Sequence, residues 1–294
     1  MKTLKLGLAL GSGGTKGAAH VGVMRVLADA GIKPDVIAGT SIGSLYGGLV
    51  AAGYTPHEIE EGIRTRPNRE VYALFRQRLK LRANNKLART FYNALAGIHI
   101  EDLPIPYAAV ASDIEKHEPV VITSGPIIDA IEASIAIPII ARPVAHQGRM
   151  LLDGGFWHAA PVGPAHDLGA DIIVSVEIGH PHKLPERLRE SAMRAASLLD
   201  FISPQRTFAG VPFTIRAAST AREEGRTAQV ILHPPIPRFR AGSLLMQIHW
   251  LEAGIAAAEE ALPAIRALLA GEAPAEVAQE YAPQSRLATD PGLA

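Results

Sequence analysis

The chain has 294 residues, 48% of them hydrophobic and 20% charged, enough to bury a substantial core in one large domain or two small ones. Its 29 basic and 29 acidic residues cancel, so no global charge draws it to nucleic acid or anionic lipid, and any such attraction must be local. It has no cysteine, which excludes disulfides, thiolate metal sites and cysteine nucleophiles and fits a reducing compartment.

The N-terminus has a basic start and a short apolar run that glycines interrupt, too short for a secretory signal. Lys5–Leu10 is predicted to be a buried strand instead. No stretch approaches the ~20 apolar residues of a transmembrane helix, so the expectation is a cytoplasmic protein able to sit peripherally at a membrane surface. A glycine cluster from Gly11 to Gly17 follows, and Ala18–Ala30 carries helical apolar spacing that stops at Gly31. Pro34–Ala38 is a second short strand, and Gly39-Thr40-Ser41-Ile42-Gly43 turns into a helix ending near Ala52. Strand, loop, helix, strand, elbow, helix indicates the parallel α/β class.

Residues 56–97 have a helical and different character. From Arg64 to Arg89 inclusive there are nine basic residues and one acid, Glu70, with apolar residues among them. This segment is predicted to be a helical cap. Its bases either form a solvated face or meet anionic head groups. Further on, Ile105–Asp113, Pro119–Thr123, Arg149–Leu152, Asp171–Glu177 and Ala228–Leu232 are predicted strands. Gly125–Ser134, Pro185 to about Ile202, and Ser243–Leu269 are predicted helices. Residues 271–294, rich in Ala, Pro and Glu, read as a poorly ordered tail after a domain spanning 1–270.

Three motifs carry chemistry. Gly11-Ser12-Gly13-Gly14-Thr15-Lys16-Gly17 lies between a strand and a helix, where glycines bring backbone N–H groups close to an anion and the helix adds its positive end. A nucleotide phosphate loop requires Ser or Thr after the lysine, but Gly17 stands there; a dinucleotide fingerprint requires Gly where Lys16 stands. The anion that remains is the oxyanion of a tetrahedral intermediate. Gly39-Thr40-Ser41-Ile42-Gly43 is a G-x-S-x-G elbow, which exposes a serine hydroxyl on a strained strand-to-helix turn. Asp153-Gly154-Gly155 closes a strand with a carboxylate able to serve as the base such a serine needs.

In order and spacing these motifs, with the stretches at 7–53, 109–138 and 151–176, resemble the compact bacterial patatin-like phospholipases. The resemblance implies a three-layer patatin-like fold: a central, mostly parallel sheet with helices on both faces and a helical cap at about 56–97. It implies a serine acyl hydrolase acting on phospholipids, lysophospholipids or other acyl esters through a dyad, with Ser41 as nucleophile and Asp153 as proton acceptor. Gly13, Gly14 and Lys16 would form the oxyanion hole, Lys16 replacing the family's frequent Arg. Gly11, Gly17, Gly39, Gly43, Gly154 and Gly155 would shape the motifs. Neither metal nor organic cofactor is implied. Ser12 replaces a third consecutive glycine, and His158 replaces an Asn that follows the Asp-Gly-Gly turn in the family. The run Ala133–Pro138 is expected to shape the acyl pocket, His20 to pack and hydrogen-bond, and Asp113 and Glu115 to serve a hairpin turn.

Three other readings stand beside this one. A Ser–His–Asp triad would draw its histidine from His158, His166, His180, His182, His233 or His249. The same residues could serve a carboxylesterase or thioesterase for small soluble substrates. The fold could also persist in a regulatory protein without turnover. Arg76, Arg78 and Lys80 are the expected contacts with a membrane surface, and no nucleic-acid partner is expected.

Overall fold

The unbroken apolar run near the N-terminus forms β1 (Leu6–Leu10), buried along its whole length, as a strand covered on both faces must be. The computed structural model describes residues 4–65, 86–137, 141–156, 159–179, 228–236, 246–272 and 279–281. The other strands are β2 (Val36–Thr40), β3 (Tyr107–Asp113), β4 (Pro119–Ile122), β5 (Val144–His146), β6 (Arg149–Asp153), β7 (Ile172–Val176), β8 (Val230–Leu232) and β9 (Gln279–Tyr281). The helices are α1 (Ala18–Asp29), α2 (Ile42–Ala51), α3 (Pro56–Thr65), α4 (Lys86–Leu95), α5 (Ile127–Ser134), α6 (Val162–Asp167) and α7 (Met246–Leu269).

The nine strands of the described residues join one mixed sheet. The pairings β2–β3, β1–β2, β1–β7, β7–β8 and β8–β9 are parallel, while β4 and β6 pair antiparallel with β3, and β5 with β6. One face of the sheet, with Leu8, Leu10, Ile37 and Tyr107, is covered by α1, α2, α5 and α7. Small residues on the other face, Ala9, Ala38 and Ala108 with Val36, admit the short α6 through Val162 and Ala165. This is the expected α/β architecture, with helices on both faces.

Strand β3 positions the site. Ala109–Ser112 pair with β4 along one edge. A strand has two edges, so β2 and β6 must share the other: β2 takes Tyr107–Val110 and β6 takes Ala111–Asp113. One runs parallel to β3 and one antiparallel. Their C-terminal ends therefore meet head to head, with Thr40 opposite Val110 and Asp153 opposite Ala111. The β3–β4 hairpin turns on Asp113, whose Oδ1 accepts from the amides of Glu115 (2.9 Å) and Lys116 (3.0 Å).

The structure adds elements that the sequence reading lacked: β5, α6 and β9. Strand β9 falls inside the segment expected to be a tail. It is held because Tyr281 O accepts from His233 N (2.8 Å) and Gln279 N donates to Gln229 O (2.9 Å), extending the ladder of β8. Helices α3 and α4 fall within the expected cap at 56–97. Residues 66–85 of that cap, including Arg76, Arg78 and Lys80, and the helix expected at 185–202 lie outside the described residues.

Candidate active site

Ser41 sits between β2 and α2 with φ 55°, a left-handed backbone conformation that costs a non-glycine residue on the order of 1–3 kcal/mol. Packing imposes it. Gly43 lies so close to β1 that a Cβ there would strike the carbonyl oxygens of Leu10 and Gly11. Three hydroxyls then hold the elbow. Ser44 Oγ donates to Ser41 O (2.6 Å), Tyr107 Oη donates to Ser44 O (2.7 Å), and Ser134 Oγ accepts from Ser41 N (2.8 Å).

The head-to-head strand ends place Asp153 beside this elbow. Ser41 Oγ donates to Asp153 Oδ2 at 2.5 Å, while Asp153 Oδ1 accepts from Gly155 N at 2.7 Å. Asp153 N donates to Ala136 O at 2.9 Å. Both residues are buried, Ser41 at 4% and Asp153 at 5% exposure. Burial pushes the Asp153 carboxyl up to about 6, against the lowering effect of the bonds from Ser41 and the Gly155 amide. Near neutral pH the carboxylate is thus ionised yet basic enough to share the serine proton.

The glycine loop lies against the same elbow. Gly11 N donates to Val176 O (3.0 Å) and Ser12 N to Ala159 O (2.8 Å), after which Gly13 is extended and Gly14 takes φ 59°. Among the described residues, the N–H groups of Gly13 and Gly14 donate to no protein acceptor. Unengaged backbone N–H groups of this kind are able to receive an anion. Lys16 lies on the 3-10 turn that follows, Gly14–Gly17, its amide donating to Gly13 O (3.3 Å). Gly17 packs against Ile42 and Tyr46 of α2, and Gly155 against Ser12, so the loop touches both the helix after Ser41 and the turn after Asp153. His20 Nε2 donates to Gly11 O at 2.7 Å. Burial pulls this imidazole down to about 4, so it is neutral and the bond fixes its tautomer.

The elements bring together Ser41, Asp153, Gly11, Gly13, Gly14, Gly17, Gly39, Gly43, Gly154 and Gly155. His158, His180 and His182 lie outside the described residues. His166 lies beside Asp167 (3.6 Å) and His233 beside Glu280 (3.8 Å), while the Ser41–Asp153 bond is direct. Among the described residues, no three His, Cys, Asp or Glu side chains group as a metal set, and no helix is long and apolar enough to cross a membrane.

Two site residues escaped the sequence reading. Ser134 was legible only as part of the run at 133–138, expected to shape a pocket; its hydroxyl accepts from the Ser41 backbone N–H. Gln247, on α7, donates from Nε2 to Thr15 O at 3.0 Å across 232 positions of chain and so steadies the glycine loop. No local pattern marks either role.

A short serine–carboxylate bond thus sits at a strained elbow of a mixed α/β sheet, beside a loop whose Gly13 and Gly14 amides meet no protein acceptor among the described residues. The patatin-like phospholipase family model matches residues 8–166, and the chain belongs to that family. An NTE family protein of Mycobacterium tuberculosis is 35% identical over 195 residues, 65% of this chain and 54% of that protein. Lysophospholipase NTE1 of Yarrowia lipolytica is 33% identical over 181 residues, 59% of this chain and 13% of that one. The chain thus spans about half of the mycobacterial relative and a small part of the fungal one. Among solved structures, VipD from Legionella pneumophila matches with a TM-score of 0.50 at 15% identity, over 90% of this chain and 67% of that one; that likeness is one of fold.

Proposed function

We propose that the protein hydrolyses carboxylic ester bonds of lipids, with Ser41 as nucleophile and Asp153 as base. The observation that carries this reading is the direct 2.5 Å bond between Ser41 Oγ and a buried carboxylate whose basicity is raised to about 6. Asp153 takes the Ser41 proton as Oγ attacks the ester carbonyl. The Gly13 and Gly14 amides stabilise the oxyanion, with Lys16 adding positive charge beside the loop. The C–O bond to the alcohol breaks, the alcohol leaves with the proton from Asp153, and Ser41 keeps the acyl group. Water then attacks the acyl-enzyme with Asp153 again as base, releasing the fatty acid and restoring both residues.

Lysophospholipids and phospholipids are the proposed substrates. The fungal relative named as a lysophospholipase supports that class. The basic segment at 64–89, with Arg76, Arg78 and Lys80, is the proposed contact with anionic head groups. Neutralising those three should cost activity on vesicles and spare short soluble esters.

The deciding experiment is intact-protein mass spectrometry after fluorophosphonate treatment of wild type and Ser41→Ala. One adduct on the wild type alone, followed by release of fatty acid from lysophosphatidylcholine, supports the reading. A folded wild type that takes no adduct overturns it.

A further inference from the structure

We propose that Ser134–Ala136, the turn closing α5, is a gauge that sets the spacing of Ser41 and Asp153, with the Ser134 hydroxyl as the positioning group for the nucleophile. The proposal rests on the dyad reading above. Two of the bonds that leave this three-residue turn reach the dyad backbones, one each: Ser134 Oγ accepts from Ser41 N at 2.8 Å, and Ala136 O accepts from Asp153 N at 2.9 Å.

The need for it follows from the sheet. Past Val110, β6 occupies the edge of β3 along which β2 had been pairing. The Ser41 amide therefore has no strand partner, while its backbone is held in a strained conformation. Ser134 fills that gap. Its hydroxyl accepts from Ser41 and donates to Val110 O at 2.6 Å, at the register where Thr40 ends. With the donor and one acceptor lone pair both engaged, its position is fixed in direction as well as distance.

The turn is stiff enough to act as a ruler. Ile135 N bonds to Ile131 O (2.9 Å), Ala136 N to Ala133 O (3.3 Å) and Ile137 N to Ile135 O (2.8 Å). Ser134 is fully buried, and Ala136 packs against Leu152, the residue before Asp153. A shift of α5 therefore reaches both catalytic partners, and the nucleophile's amide is committed to the frame.

The test uses the full chain with Ser134→Ala and Ser134→Thr. The Asp153 carboxyl is titrated by 13C NMR, and Ser41 by the rate of fluorophosphonate labelling. The bond from Ser41 favours the ionised carboxyl, so loosening it in Ser134→Ala should move the Asp153 midpoint upward. Labelling should slow by about 10- to 100-fold, the scale of a small misplacement of reacting groups. Ser134→Thr, which keeps the oxygen, should restore both. An unchanged midpoint and labelling rate in folded Ser134→Ala overturns the proposal, as does an equal loss in the Thr variant. If the Ala variant does not fold, Ser134→Cys, close in size but a weak acceptor, carries the same comparison. A shifted midpoint in a protein whose wild type takes no fluorophosphonate keeps the gauge and removes the hydrolase reading. Labelling that depends on Ser41 and Asp153 but ignores Ser134 does the reverse.

Discussion

The two halves of the Ser41–Asp153 pair are held by different means. Around Ser41, a strained backbone is pinned by the side-chain hydroxyls of Ser44, Ser134 and Tyr107. Apart from its bond from the Ser41 hydroxyl, Asp153 is held by backbone: the Gly155 amide on its carboxylate and the Ala136 carbonyl on its N–H. The serine side is thus open to adjustment by single side-chain changes, whereas the base side yields only to changes that move the chain itself. Ser41 holds an orientation that regular structure does not supply. Asp153 needs only to arrive at the right register of β3.

The largest expected effect strikes the base directly. Asp153→Asn should lower kcat by about 10⁴-fold, and Ser41→Ala should add little to it, because residues acting as a unit are not additive. The wild-type acylation rate should rise with pH about a midpoint near 6, where Asp153 ionises. Stability should run the opposite way. A folded-state carboxyl raised to about 6 binds its proton more tightly than the ~4 of an exposed Asp, a gap worth about 3 kcal/mol. That stability is present below pH ~4 and is lost as pH climbs through 6. Asp153→Asn, which carries no charge to bury, should therefore melt higher than wild type at pH 8 and lose the advantage near pH 4. Parallel melting curves at both values check the sign.

Next in size comes a change to the chain on the base side. A Cβ at Gly154 would run into the carbonyl of Val110, the group that also accepts from Ser134. Gly154→Ala should cost about 2–3 kcal/mol of stability through overpacking and slow labelling of Ser41 from across the sheet. A Gly154→Ala protein with wild-type melting and labelling would mean that the two sides are less coupled than the β3 register implies.

How much of this was legible beforehand divides along the same line. The elbow, the Asp-Gly-Gly turn and the glycine loop were readable because close backbone approach demands glycine, and glycine leaves a mark in sequence. Longer elements with clear period, such as α1, β3 and α7, lay within a few residues of their expected bounds. What escaped was short or non-local. The three-residue strands β5 and β9 carry no measurable alternation, and α6 contains Gly163 and Pro164, which argue against a helix. Ser134 stood in a recognised run, but its task depends on where β2 gives way to β6, which is a property of the assembled sheet.

A smaller effect is expected on the nucleophile side. Tyr107→Phe removes the hydroxyl that donates to Ser44 O and leaves a buried carbonyl one bond poorer, a loss of about 1–2 kcal/mol. Because the ring stays, the melting temperature should fall only slightly. The labelling rate should fall more, since the lost bond supports the elbow. Equal small losses in stability and none in labelling would show that Ser44 and Ser134 hold Ser41 without help.

The smallest effect should come from the glycine loop, which neither side of the dyad owns. Gln247→Met keeps the length and burial of the side chain on α7 but loses the bond to Thr15 O. One neutral hydrogen bond is worth about 1 kcal/mol, so kcat should drop only a few-fold. The Asp153 midpoint should stay where it is, because Gln247 touches the loop and not the carboxylate or its serine. That pairing separates the loop from the dyad: Ser134→Ala should move both midpoint and rate, Gln247→Met the rate alone. A Gln247→Met protein whose midpoint also moved would mean that α7 steadies the whole site through α1, and the contrast between a side-chain-held serine and a backbone-held base would then be part of a wider frame.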